Sequence, residues 1–164
     1  IASETINNFQ NIYEEKWLNM MRDKLGFFGE DKSDKKIIKD LLNWMEQNKV
    51  DYTNTFCYLM NNDSINSEIY KDQKFLTWIK NWKNRVLINN GSFEKSLKLM
   101  KNNNPIVIPR NHKVEEALLT ANENNLDNLN NLLSVLKNPY NNLQNINEFQ
   151  SPSSNKNYQT YCGT

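Results

Sequence analysis

Apolar residues recur at spacings of three and four along most of the chain, the period of an amphipathic helix. The first run places Ile6, Phe9, Tyr13, Trp17, Met20 and Met21 on one face. Ser3 reads as its cap and Gly26 as its stop, because a serine hydroxyl can accept an orphan N–H and glycine can take positive φ. Ser33 precedes a second stripe of Ile37, Ile38, Leu41, Leu42 and Met45. A shorter third helix follows Asp51, with Phe56, Leu59 and Met60 on its face. A fourth spans roughly 71–90 with Phe75, Trp78, Ile79, Trp82 and Val86 inward, and Gly91 ends it.

Ser92 opens a fifth helix with Phe93, Leu97 and Met100. Pro105 then breaks the run, since proline has no N–H and restricts the residue before it. Ile106-Val107-Ile108-Pro109 is β-branched between prolines and is predicted to be extended and buried. Asn111 is expected to cap a sixth helix carrying Val114, Ala117, Leu118 and Ala121. A seventh carries Leu126, Leu129, Leu132, Leu133 and Leu136, and Pro139 closes it. Past Tyr140 the period lapses, and the polar stretch 150–157 reads as a mobile strap. The predicted architecture is all-α, an irregular bundle of about seven helices with one short extended segment. It divides into a helical domain over 1–140 and a mobile tail over 141–164.

Composition narrows the chemistry. At 164 residues the chain is one domain by length. Four Gly and four Pro argue against a turn-rich β fold. Gly26, Gly29, Gly91 and Gly163 cannot be assembled into either glycine-rich phosphate loop. One His and two Cys cannot supply a four-ligand zinc site. A Ser-His-Asp triad would rest on His112 alone, with no nucleophile elbow beside it. Two cysteines make no disulfide framework, so a reducing intracellular compartment is expected. No run is long enough to span a membrane, and no signal-peptide pattern opens the chain. The first residue is Ile1 rather than Met, which suggests a processed chain or a piece of a longer one.

The net charge of +1 hides a pattern: residues 1–70 sum to −4, 71–113 to +8 and 114–164 to −3. The basic block includes Lys80, Lys83, Arg85, Lys95, Lys98 and Arg110. It either complements the acidic flanks within one fold or offers a positive face to an anionic partner. Trp78 and Trp82 lie beside it and could stack on bases, although tryptophans four apart on a helix also suit a core. A nucleic-acid partner is not favoured at this net charge.

Several strings occur in a suggestive order: Lys24-Leu25-Gly26, then Asp51-Tyr52-Thr53 with Phe56 and Leu59, then Trp78 with Trp82 and Arg85. Asn104-Pro105 with Arg110-Asn111, Asn138-Pro139-Tyr140 and the terminal Tyr161-Cys162-Gly163-Thr164 complete it. Together they resemble the C-terminal region of the selenoprotein O family, from about Tyr13 onward. The resemblance implies a parent with a kinase-like fold that moves AMP from ATP onto protein hydroxyls, with Mg²⁺ or Mn²⁺. ATP and metal would belong to that kinase-like domain, and this chain by itself is expected to bind no cofactor and to hold no catalytic residue. Its partners would be the kinase-like domain of the same protein and protein substrates, in a bacterial cytoplasm or a mitochondrion.

One functional position carries over. The family places selenocysteine or cysteine third from its C-terminus, where Cys162 stands, and the bacterial form can pair it with a cysteine of the kinase-like domain. Cys57 departs from the family, which has arginine after the phenylalanine, and reads as a part-buried thiol. Arg110, Asn111, Lys80, Lys83 and Arg85 are candidates for a domain contact or an anion. For Arg110 and Asn111 the competing reading is structural, with Arg110 paired to a buried carboxylate or carbonyl and Asn111 as a helix cap. The alternative for the whole chain is a free-standing helical interaction module with a basic face.

Overall fold

A computed structural model describes residues 5–6, 8–60, 68–89, 91–141 and 146–154. Among the described residues the chain forms α-helices and one 3-10 turn, with no strand. The helices are α1 (Phe9–Leu25), α2 (Asp34–Asn48), α3 (Tyr52–Leu59), α4 (Gln73–Val86), α5 (Phe93–Asn103), α6 (Asn111–Asn122), α7 (Asp127–Leu136) and α8 (Asn147–Gln150). The 3-10 turn, Glu68–Lys71, leads into α4. The all-α architecture is as the periodicity predicts.

Three helices are opened by side chains that accept a backbone N–H. Asp51 accepts from Asn54 at 2.8 Å, Asp72 from Phe75 at 3.0 Å and Ser92 from Lys95 at 3.2 Å. Two expected caps behave otherwise. Ser33 stands before α2, but its hydroxyl donates to Asp31 at 2.5 Å. Asn111 is the first residue of α6; Arg110 precedes the helix in extended conformation, and no side chain caps it. Arg110 is drawn there by a carboxylate elsewhere in the fold, so Asn111→Ala removes no cap.

The core is laid down by α2 on α4 and α1 on α5. Trp44, Phe75, Trp78 and Trp82 run through it as a ladder of rings, with Trp44 and Phe75 at 4.3 Å and Trp78 and Trp82 at 6.1 Å. Each indole N–H that enters this ladder has an acceptor, as burial demands. Trp78 donates to the Ile37 carbonyl at 2.8 Å, Trp82 to that of Leu25 at 2.9 Å, and Trp44 to the Asp72 carboxylate at 2.9 Å. The tryptophans are therefore core residues and no stacking platform for bases.

Gly26 ends α1 with φ 72, and a Cβ there would come within 2.8 Å of Ser96 on α5. The left-handed stop and the close helix approach thus require the same residue. Asn104 fastens the junction from the other side, donating to the carbonyls of Lys24 and Met100 at 2.8 Å each. The segment after it is extended and buried at Ile106 and Val107, and the Ile106 N–H donates to the Pro139 carbonyl at 2.7 Å.

Two helical faces differ from expectation. In α1 the predicted stripe holds only one buried residue, Met21; Ile6, Phe9, Tyr13 and Met20 are exposed and Trp17 is half-buried. The core face is instead the one carrying Leu18, Met21 and Leu25. In α7, Leu132 and Val135 are buried, while Leu126 and Leu133 face outward. The C-terminal boundary also moves. Residues 146–150, assigned from sequence to the tail, form α8 and bury Ile146 and Gln150. Residues 155–164 lie outside the described residues.

Candidate functional site

The sequence candidates separate into an interior group and a surface group. Arg85 belongs to the interior, at 1% exposure. Its Nε donates to Asp34 Oδ1 at 2.6 Å, and Nη2 to the Gly29 carbonyl at 2.9 Å. Arg22 approaches the same carboxylate from α1, with Nε 2.7 Å from Asp34 Oδ2. Burial pushes the Asp34 carboxyl up, but the hydrogen bonds from Arg85 and Arg22 outweigh it and hold the group below the ordinary carboxylate range. One buried carboxylate thus ties α1, α2 and α4 together, and Arg85 is enclosed too fully to meet an anion from outside.

Arg110 sits at a second node. Its Nη1 donates to Asp51 Oδ2 at 2.5 Å and its Nη2 to Asp51 Oδ1 at 3.0 Å, the fork geometry that suits guanidinium and carboxylate. Nη2 also donates to the Gln150 carbonyl at 2.8 Å, which Asn54 Nδ2 reaches as well at 3.3 Å. Gln150 returns through its own amide, donating to the Ile106 carbonyl at 3.0 Å. Asp51 therefore caps α3 and binds Arg110 at once. Burial raises its carboxyl, and the Arg110 and Asn54 hydrogen bonds more than offset that, leaving it depressed. Lys113 adds an outer contact from α6 to Glu148 on α8. The node latches the C-terminal segment onto the body, with Arg110 paired to the Asp51 carboxylate and the Gln150 carbonyl.

A groove of about 510 Å³ opens beside this latch, lined by Val50, Asp51, Tyr70, Asn147, Gln150 and Pro152 among others. It holds little that could do chemistry. Cys57 lies nearby in α3, fully buried with a free thiol, 3.9 Å from the Pro105 carbonyl. Burial, and secondarily the Asp51 charge, push its pKa up to about 11, so it is a poor nucleophile near neutrality. It is more buried than the sequence reading allowed. Cys162 lies outside the described residues.

The surface group is Lys80, Lys83 and Asn111, all exposed. Lys80 and Lys83 project from α4, and Lys95, Lys98 and Lys101 are exposed on α5. Other members of the basic block are used within the fold: Lys71 pairs with Glu68 at 2.6 Å, and Lys113 with Glu116 at 2.9 Å. Part of the +8 therefore meets acids inside the chain.

Mg²⁺ or Mn²⁺ finds no ready-made cluster of ligands among the described residues. No group of three or more His, Cys, Asp and Glu is placed to hold a metal there. Asp34 and Asp51 already give their oxygens to arginines. Likewise, no described helix is long and apolar enough to cross a membrane. Sequence reasoning missed Asp34, Gln150 and the double role of Asp51. The first-turn position of Asp34 was a weak signal, and Gln150 left none in its polar surroundings.

The geometry defines a helical body with a latched C-terminal segment, organised for packing. The family model for protein adenylyltransferase SelO matches residues 2–137. The chain belongs to this SelO family. It is 50% identical over 168 residues to the protein nucleotidyltransferase YdiU of Pelagibacter ubique, 44% over 168 residues to that of Clostridium botulinum and 43% over 167 residues to that of Nitrosococcus oceani. Each match takes in the whole chain and 34% of the relative. The chain thus spans about a third of the length of the curated relatives it matches.

Proposed function

We propose that this chain is the helical accessory region of a SelO-type protein adenylyltransferase. The observation that carries the reading is the family match over 2–137 in a chain covering only 34% of its relatives. In the full protein a kinase-like part binds ATP with Mg²⁺ or Mn²⁺ and transfers AMP to protein hydroxyls. This region packs against that part and contributes Cys162 to redox control. The compartment proposed is a bacterial cytoplasm, in keeping with the bacterial relatives. Arg85 and Arg110, both bonded to carboxylates within the fold, are in keeping with an accessory role.

The test uses labelled ATP with the full-length protein and with this chain alone. Labelled AMP on protein is expected from the full-length form only. Self-labelling by the isolated chain would overturn the reading. The redox part is checked separately. With peroxide as oxidant, the Cys162 thiol and a second thiol of the kinase-like part lose two electrons and two protons and form a disulfide. Non-reducing peptide mapping of the oxidised full-length protein should recover Cys162 in that linkage; recovery of free thiol alone counts against it.

A further inference from the structure

Helix α1 carries an apolar arc wider than the part of it that the core covers. At about 100° per residue, Leu18, Met21 and Leu25 point one way, into the core. Phe9, Tyr13 and Met20 share a sector about 130° round the helix, and are 65%, 56% and 46% exposed, with half-buried Trp17 between the two groups. Phe9 and Tyr13 already stack on each other at 6.2 Å. The first eight residues, 9–16, are exposed throughout and extend about 12 Å of helix at 1.5 Å per residue. Glu15 lies on another side of the helix, about 160° from Tyr13.

A surface helix needs an apolar stripe of roughly 100°, and an arc nearly twice that width is more than this body covers. Large aromatic side chains clustered on an open surface mark an interface rather than a solvated face. The family match over residues 2–137 takes in all of α1. The relatives carry about two thirds of their length outside the matched region, which is ample chain to cover it.

Resting on the accessory-region reading above, we propose that the outward face of α1 is the seat of the kinase-like part of the same polypeptide, which meets Phe9 and Tyr13 with an apolar surface of its own. The interface makes α1 a shared helix, with its C-terminal turns held by α2 and α5 and its N-terminal turns by the second domain.

The experiment places a benzoylphenylalanine photocrosslinker at Tyr13, and separately at Glu15 on another side of the helix, in the full-length protein. Both positions are exposed, so neither replacement disturbs the core. Irradiation at position 13 should join it to a peptide outside this sequence within the same molecule, with the yield largely lost at position 15. A crosslink to a second copy, which would disappear on dilution, overturns the proposal, as does no crosslink at position 13. The same preparations are assayed for AMP transfer. Transfer without the crosslink sinks the α1 interface and leaves the accessory reading standing. The crosslink without transfer sinks the assigned activity and leaves the interface.

Discussion

At the scale of the residue, Asp34 is the most consequential side chain. It is fully buried and bonds two guanidiniums from different helices, Arg22 and Arg85. Its removal would leave both cations buried without their shared partner, a change that typically costs about 3–5 kcal/mol. Asp34→Ala is therefore expected to lower the unfolding free energy by about that amount, read from the urea midpoint.

Asp34 and Asp51 also set the acid limit. Both carboxyls are depressed in the folded chain, so the stability they add is fully present above the unfolded value of about 3.9. It is lost as pH falls through the lower folded value, because the unfolded state then binds the proton first. The midpoint should be insensitive to these groups from neutral pH down to about 5 and decline below about 4. In Asp51→Asn that decline should be shallower, with a lower midpoint at neutral pH. An unchanged acid profile would remove the argument.

At the scale of the element, helix ends carry most of the specification. With few glycines available, other residues take the left-handed backbone: Lys49 at φ 51, Asn89 at φ 56 and Asn124 at φ 62. The two asparagines suit that role, since their short polar side chains tolerate it. The excess of asparagine, 31 residues, is in part a supply of helix stops. Gly26 is not interchangeable with these, because Ser96 fills the space a side chain would need. Gly26→Ala combines left-handed strain with overpacking and should cost at least about 2 kcal/mol, measured by thermal or urea unfolding. A neutral result would mean that α1 and α5 can slide apart.

At the scale of the whole molecule, α8 was assigned to the tail, but the seven helices before it and their order were legible from hydrophobic period, because Trp78, Trp82, Ile38 and Leu41 recur at core spacing and are buried. The extended Ile106-Val107 segment was legible for the same reason. Which side of α1 faces inward was not. Phe9 and Tyr13 outrank Leu18 and Leu25 in size, and a periodicity argument has no means of knowing which part of a wide apolar arc is covered. The latch escaped detection because its acceptor is a backbone carbonyl, that of Gln150, which every residue has. Of the candidate residues, Arg85 and Arg110 bond to carboxylates within the fold, whereas Lys80, Lys83 and Asn111 are exposed.

The hold on Gln150 has a mechanical corollary. Arg110 and Asn54 pin its carbonyl, which fixes the origin from which the last residues of the chain depart. Twelve residues separate Gln150 from Cys162, and a fully stretched chain of that length reaches about 40 Å. That radius bounds the territory of the terminal thiol. Under the redox role proposed for Cys162, a partner cysteine farther than that from the latch is out of range whatever its reactivity.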